Sequence, residues 1–438
     1  MTILFLILLM SFFACDVLDV EPTQSISTEN ALTTKTGVQQ ALTGCYDALQ
    51  YAGYYGRNFI LAGEFTSDNG LPTGTIKEYK ELANNSLLAD NAVIEGIWNE
   101  MYTAVNRANH VIWFAPGVKD LTGAELNDIL GQARFLRALH HFNLMNLFGP
   151  VPMRKEPSLS AGPSLNAGRA PILDLFEFIE EDLLFAETHI TNSNKAMATA
   201  TAAKALLARV YLYREDWIEA RNMAEEVINS GGCQLVNPYA ILFGAGTNPE
   251  SIMHIEFDAQ DKNRLAEYFL PTSSGGRKEI SPSASLIASF EPGDERLGGS
   301  IANPAGEAYG VKYTDISTGT DKVYILRLAE MYLIRAEAEA RLNGNLTAIR
   351  ADVDTVRSRA GLGGTSAATH TDLLIAIERE RRNEFAFEGH RWPDLVRTKR
   401  ALDFKSTVTQ LCQLLYPIPL SEIQTNEAIT PADQNPCY

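Results

Sequence analysis

At 438 residues, with 45% hydrophobic and 21% charged side chains, the chain has an ordinary globular composition and enough length to bury a large core. That balance excludes a disordered polypeptide. A net charge of -17 with a pI near 4.9 argues against a nucleic-acid partner, because phosphate binding draws its affinity from Lys and Arg.

The chain opens with MTILFLILLMSFFA, apolar almost throughout, then Cys15 and the acidic Asp16, Asp19 and Glu21. Residues 1–14 are too short to span a bilayer and read as the apolar core of a secretory signal. Ala14 directly before Cys15 is the pattern of a bacterial lipoprotein cleavage site, so Cys15 is expected to carry lipid. Residues 15–30 then read as a polar tether, and residues 31–438 as one domain. No later stretch approaches the ~18 uninterrupted apolar residues of a membrane span. The remaining cysteines, Cys45, Cys233, Cys412 and Cys437, lie far apart without zinc-ligand spacing. Three pairings are open to them, and mostly free, buried thiols are expected. No metal or cofactor is expected.

Helical periodicity falls near residues 31–50, 92–115, 124–148, 172–230, 323–360 and 371–388, which predicts an all-α fold with loop-rich insertions at 51–91 and 232–322. Long irregular segments in compact proteins tend to carry function. In the second helical stretch, Ile94, Trp98, Tyr102, Val105 and Asn109 share one stripe, which makes Trp98 a core residue sooner than a ligand contact. The third ends at Gly149-Pro150, a clean stop. Its adjacent His140 and His141 point about 100° apart and cannot chelate one metal, so they read as packing or surface residues.

Two later segments repeat each other. Leu207, Ala208, Tyr211, Ala220, Ala224 and Val227, with a break at residues 214–216, fall where a tetratricopeptide repeat nests large, small and aromatic side chains. Ala336 and Ala348 are twelve apart, as are Ala208 and Ala220, and Arg327, Glu330 and Glu337 punctuate the second copy. The insertion between the copies contains the strand-like SIMHIEF.

Residues 375–400, IAIERERRNEFAFEGHRWPDLVRTKR, form the least ordinary stretch. Leu374 and Ile377 begin an apolar face that continues at helical spacing as Arg381, Glu384 and Glu388. Glu378 with Arg382 and Arg381 with Glu384 are spaced to pair, whereas Glu384 and Glu388 repel. The surplus carboxylate calls for cations from elsewhere, with Arg134, Arg137 and Arg327 as candidates. Gly389 is expected to end the helix in a left-handed conformation, with Pro393 keeping the chain from resuming it. The favoured reading is an ion network fixing how helices meet. An acid/base pair or ligand site is the functional alternative.

Taken together, the leader with CDVLDVEP, IWNEMYTAVNRAN, ARFLRALHHFNLMNLFGPVPM, ATAAKALLARVYLY, YILRLAEMYLIRAEAEA, ERRNEFAFEGHRWPDLVR and the closing YPIPLSEI…QNPCY resemble the SusD/RagB family, in its order from end to end. One departure is Cys437, where the family's closing motif has Gly. The resemblance implies tetratricopeptide-like helix pairs packed against a loop-rich half. It also implies an outer-membrane, cell-surface lipoprotein that binds oligosaccharides, or in some members peptides, as the lid of a SusC-like TonB-dependent transporter, without enzymatic activity.

A glycan site needs aromatic faces for sugar rings and planar polar groups for hydroxyls. The first insertion offers Tyr51, Tyr54, Tyr55, Asp68, Asn69 and Tyr79, and the second offers Tyr268, Phe269, Arg277, Tyr309 and Tyr313. Two other readings compete with glycan capture. Glu384 and Glu388 one turn apart suggest a glycoside hydrolase, although neighbouring arginines should keep both ionised and leave no proton donor. A repeat groove holding peptides is the other.

Overall fold

The computed structural model describes residues 32–159, 166–244 and 248–438. The leader, the tether and Cys15, with its expected lipidation, lie outside the described residues.

Helices dominate. α1 (Lys35–Asp47), α2 (Asn58–Thr66), α3 (Lys77–Ala83), α4 (Ala92–Phe114) and α5 (Gly123–Phe148) are followed by α6 (Ile172–His189), α7 (Ala200–Tyr213) and α8 (Trp217–Asn229). After an irregular segment with short helical turns come α9 (Leu328–Arg341), α10 (Leu346–Arg359), α11 (His370–Glu384) and α12 (Arg391–Arg397). From α4 to α10 each helix packs on its successor, and α11 returns to α9, so the helices form a continuous array. No helix of the described residues is long and apolar enough to cross a membrane.

Local chemistry starts these helices where the sequence allows. Thr34, Asn91, Thr199, Asp216 and Asn345 cap them by accepting first-turn N–H groups, and Thr369 with Asp372 forms a capping box on α11. Each such cap contributes about 1 kcal/mol. Gly149, with φ of 74°, ends α5. The α7/α8 pair nests as its spacing predicts, because Ala208, Ala220 and Ala224 are fully buried and let the backbones approach. The second pair departs from the expected register. Ala348 is exposed, and Ile349, Val353 and Val356 carry the buried stripe of α10. Arg327 is also not helical: it ends a strand.

The strands are short and close the irregular segments onto the array. β1 (Gly70–Pro72), β2 (Val151–Pro152), β3 (Arg169–Ala170), β4 (Ser251–Ile255), β5 (Ile280–Pro282), β6 (Ile301–Ala302), β7 (Tyr309–Gly310) and β8 (Val323–Arg327) form antiparallel pairs β1–β5, β2–β3, β4–β8 and β6–β7. The β1–β5 pair sets Gly70 opposite Pro282 and Leu71 opposite Ser281, joining the two insertions. One apolar core runs from Leu32 to Ile418 and takes in Trp98, which is 1% exposed. His140 and His141 are buried within the same fold.

Two chain-end features correct the sequence reading. Pro393 does not delay a new helix. It occupies the third position of α12, in a first turn whose N–H groups have no intrahelical acceptor anyway. The reversal lies before it, where Phe387 and Gly389 adopt φ of 66° and 80°. Gly389 is also pressed on α2, so a side chain there would meet Ile60. Of the cysteines, Cys45 is a buried free thiol and Cys233 a half-buried one, but Cys412 and Cys437 are joined by a disulfide. Cys437 has φ of 82°, the conformation a glycine adopts most readily, and the cross-link holds it there.

Candidate functional site

Two clusters collect the residues singled out by sequence. The first lies at the end of α11. Glu384 is fully buried and accepts from Arg327 Nη1 at 2.9 Å and Arg359 Nη2 at 2.5 Å. Glu388 accepts from Arg327 Nε at 2.9 Å, Arg327 Nη2 at 2.8 Å and Lys312 Nζ at 2.7 Å. Glu250 adds a third carboxylate, 2.5 Å from Arg327 Nη1. Burial alone would raise the pKa of Glu384, but Arg359, Arg327 and Arg296 outweigh it and hold the group well below the carboxylate range. Glu388 is held down in the same way by Arg327 and Lys312. Two ionised carboxylates sealed against guanidinium groups offer neither a proton nor access, which removes the hydrolase reading from this pair.

The partners differ from those that sequence spacing suggests. Arg327 answers the call for a cation. Arg137 instead makes a bidentate pair with Asp182, both bonds 2.8 Å, and Arg134 lies near the same carboxylate. Arg381 bonds Asp394 at 2.8 Å instead of Glu384. Arg382 bonds Asn69 at 2.9 Å and sits 3.0 Å from Asp68, while Glu378 turns to Arg391. Tertiary partners win because these side chains are buried, where an ion without a close counter-charge is costly.

The second cluster forms where the insertions meet. Arg57 Nη1 donates to the Tyr268 hydroxyl at 2.7 Å, and its guanidinium centre lies 4.7 Å from the centre of that ring. Arg277 lies 5.1 Å from the same ring centre and bonds Glu279 Oε1 at 2.9 Å. Tyr79 meets Tyr268 edge to face at 6.2 Å and donates to Asn58 Oδ1 at 3.1 Å. The Arg277 side chain is 48% exposed, so the cluster opens to solvent at that edge. Glu279 Oε2 is buried there without a hydrogen-bond partner. Nearby, Arg107 stacks on half-buried Tyr51 at 5.2 Å.

Tyr79, Tyr268 and Arg277 therefore gather at one loop junction, along with Arg57, Glu267 and Glu279, which no spacing in the sequence singles out. Tyr79 and Tyr268 are themselves buried, at 3% and 5% exposure, so Arg277 and half-buried Arg57 are the groups that reach solvent there, while Tyr51 lies against Arg107. Five other candidates are turned into the scaffold. Tyr54 and Tyr55 receive Asn143 Nδ2 at 2.7 and 2.9 Å, and Tyr54 also bonds His140 Nδ1 at 3.0 Å. Tyr313 is 1% exposed and donates to Phe387 O. Asp68 takes Arg391 Nε at 2.7 Å, and Asn69 bridges Glu64 and Arg382. Their rings and polar ends are committed to packing, which leaves no face for a sugar. Of the two remaining aromatics, Phe269 is buried and Tyr309 half-buried.

Residues 303–407 match the family model described as SusD family, and residues 16–212 match the one described as starch-binding associating with outer membrane. SusD-like protein P2 of Formosa agariphila is 25% identical over 100% of this chain and 99% of its own. The starch-binding protein SusD of Bacteroides thetaiotaomicron is 24% identical over 72% of this chain and 74% of its own. The solved structure of a laminarin-binding SusD-like protein aligns with a TM-score of 0.81 at 25% identity, covering 93% of this chain and 100% of that one. With family models matching both halves and relatives spanning its length in the same helical fold, the chain belongs to the SusD family.

Proposed function

We propose that the protein binds oligosaccharides at the cell surface for uptake, without turning them over. The observation that carries this reading is the loop junction. Two segments some two hundred positions apart, represented by Arg57 and Tyr268, place two guanidinium groups on one tyrosine ring, with the Arg277 side chain 48% exposed. Planar donors and an aromatic edge are the groups that bond sugar hydroxyls and cover sugar faces. Arg277, Arg57 and half-buried Tyr51 are the proposed contacts, with the buried Tyr79 and Tyr268 rings holding the two arginines in place. The relatives named for starch and laminarin support a neutral glucan as ligand.

In the same reading, lipid on Cys15 holds the protein at the outer membrane, residues 31–438 act as one domain, and a SusC-like TonB-dependent transporter receives the glycan. Affinity electrophoresis in gels containing starch or laminarin tests the binding, and co-purification from membranes tests the partner. Unretarded migration in both gels, or release of shortened glucans by the purified protein, overturns the proposal. A peptide ligand is the second reading, favoured by a cleft of about 320 Å³ on the repeat helices, lined by Glu337, Arg341, Ile375 and Glu378 among others.

A further inference from the structure

A cleft of about 400 Å³ runs along α4, away from the loop junction. Its size falls within the ~300–1,000 Å³ of small-molecule sites. Asn99, Thr103 and Asn106 follow one another at helical spacing along its wall, with Tyr102 half-buried beside them and the segment at Glu156 and Ser158 opposite.

The cleft is held in shape by side chains bonded across it. Trp98 Nε1 donates to Glu422 Oε2 at 3.3 Å, and the Tyr102 hydroxyl donates to Pro152 O at 2.9 Å. Asn109 Nδ2 donates to the carbonyls of Arg154 and Glu156, both at 3.1 Å, and Ser158 N donates to Asn106 Oδ1 at 2.8 Å. These bonds fix the 152–158 segment over the helix before any ligand arrives, which lowers the ordering cost of binding. They also explain the composition of the Trp98–Asn109 stripe. Trp98 is core, as its spacing predicts, yet it also lines the cleft.

We propose that this cleft is a second carbohydrate subsite, taking a neutral sugar segment through the Tyr102 ring and the amides and hydroxyl of the Asn99–Asn106 stripe. The lining carries one cation, Arg154, and two carboxylates, Glu156 and Glu422, an excess of negative charge that repels a polyanion and leaves a neutral polyol as the fitting ligand. Glu100, the neighbour of Asn99, faces the other way and crowds Gly53, where a side chain would lie 2.6 Å from its carboxyl carbon. Helix α4 thus has the cleft on one face and the Tyr51–Gly53 loop on another, and one glycan of sufficient length is expected to engage both the cleft and the loop junction. The proposal rests on the carbohydrate reading above.

The test uses the mature full chain and three variants. Thr103→Trp fills the cleft from an exposed position, Asn99→Ala removes one amide from it, and Arg277→Ala strips the loop junction. Retention by starch and laminarin gels is read beside calorimetry with maltoheptaose and laminarihexaose and the melting temperature. Bivalent capture multiplies affinity, so Thr103→Trp should weaken binding of one polymer by about ten-fold or more, with Asn99→Ala weakening it less, and neither should shift the melting temperature. Wild-type retention of both cleft variants, with Arg277→Ala impaired, overturns the second subsite and leaves the loop junction standing. Binding lost in Thr103→Trp but untouched in Arg277→Ala supports the cleft and counts against the junction. No retention of the wild type by either polymer overturns both.

Discussion

The ionic end of α11 and the loop junction around Tyr268 are built from the same residue types, arginines and carboxylates packed against aromatic rings. In the first, Arg327 lies over Phe385 at 4.7 Å with a side chain 2% exposed. In the second, Arg277 lies over Tyr268 at 5.1 Å with a side chain 48% exposed. Composition does not separate them, but solvent access does. A sealed network with every charge countered fixes the fold, and breaking one member strands the others in a medium that punishes lone charge. An open edge with a half-exposed guanidinium keeps hydrogen-bonding capacity for something else.

Substitutions should separate the two regions by size of effect. Glu384→Ala should cost more than about 3 kcal/mol, because it takes away one of the two carboxylates, Glu384 and Glu250, that buried Arg327 and Arg359 share. Denaturant unfolding measures this, and the fraction that remains folded should bind ligand normally. An unchanged melting temperature with lost affinity would make Glu384 a ligand residue and erase the contrast.

Next in size is the cross-link near the C-terminus. Replacing Cys412 and Cys437 by Ser removes a closure 25 residues apart and should lower stability by about 3 kcal/mol. Loss of glucan binding at temperatures where the variant stays folded would tie the tail to the ligand face.

Acid should loosen the scaffold before it affects the open edge. Burial depresses His140 to about 3 and His141 and His390 to about 4, so each stays neutral in the folded state. The unfolded chain takes up these protons near pH 6.5, so stability is full above that and falls as pH drops toward 4. Glu64, raised by burial to about 7, works in the opposite sense: its folded state prefers the proton and loses stability as pH rises from 4.5 to 7. Three histidines outweigh one glutamate, and a net loss of about 3 kcal/mol or more by pH 4 is expected. Melting curves from pH 7 to 4 that do not fall would contradict this burial.

The smallest change in stability belongs to the open edge. Arg277→Ala should shift unfolding by less than about 0.5 kcal/mol, as at exposed positions generally. It should nevertheless weaken glucan retention measurably, and equal retention would move the site elsewhere.

Much of the helical array was legible because it rests on local signals. Caps such as Thr369 with Asp372, the stop at Gly149 and the small residues of α7 and α8 act within a few turns of chain. Spacing failed where partners came from far away. The i,i+4 pair of Glu378 and Arg382 exists in sequence, yet Arg382 reaches Asp68 and Asn69, over three hundred residues distant. The same limit applied to the candidate site: the aromatic insertions were visible, but that Tyr54, Tyr55, Tyr79, Tyr268 and Tyr313 are all buried while Arg277 is exposed was not.

By itself, then, the sequence determined the helix pairs, the ionic surplus at Glu384 and Glu388, and the resemblance in family motifs, all properties of residue order within short windows. Only the tertiary structure decided which cations answer that surplus, that Cys412 meets Cys437, and that Arg57 meets Tyr268. Those choices depend on burial. Removing a charge or a ring from water makes one partner decisive, and burial is set by the whole chain at once.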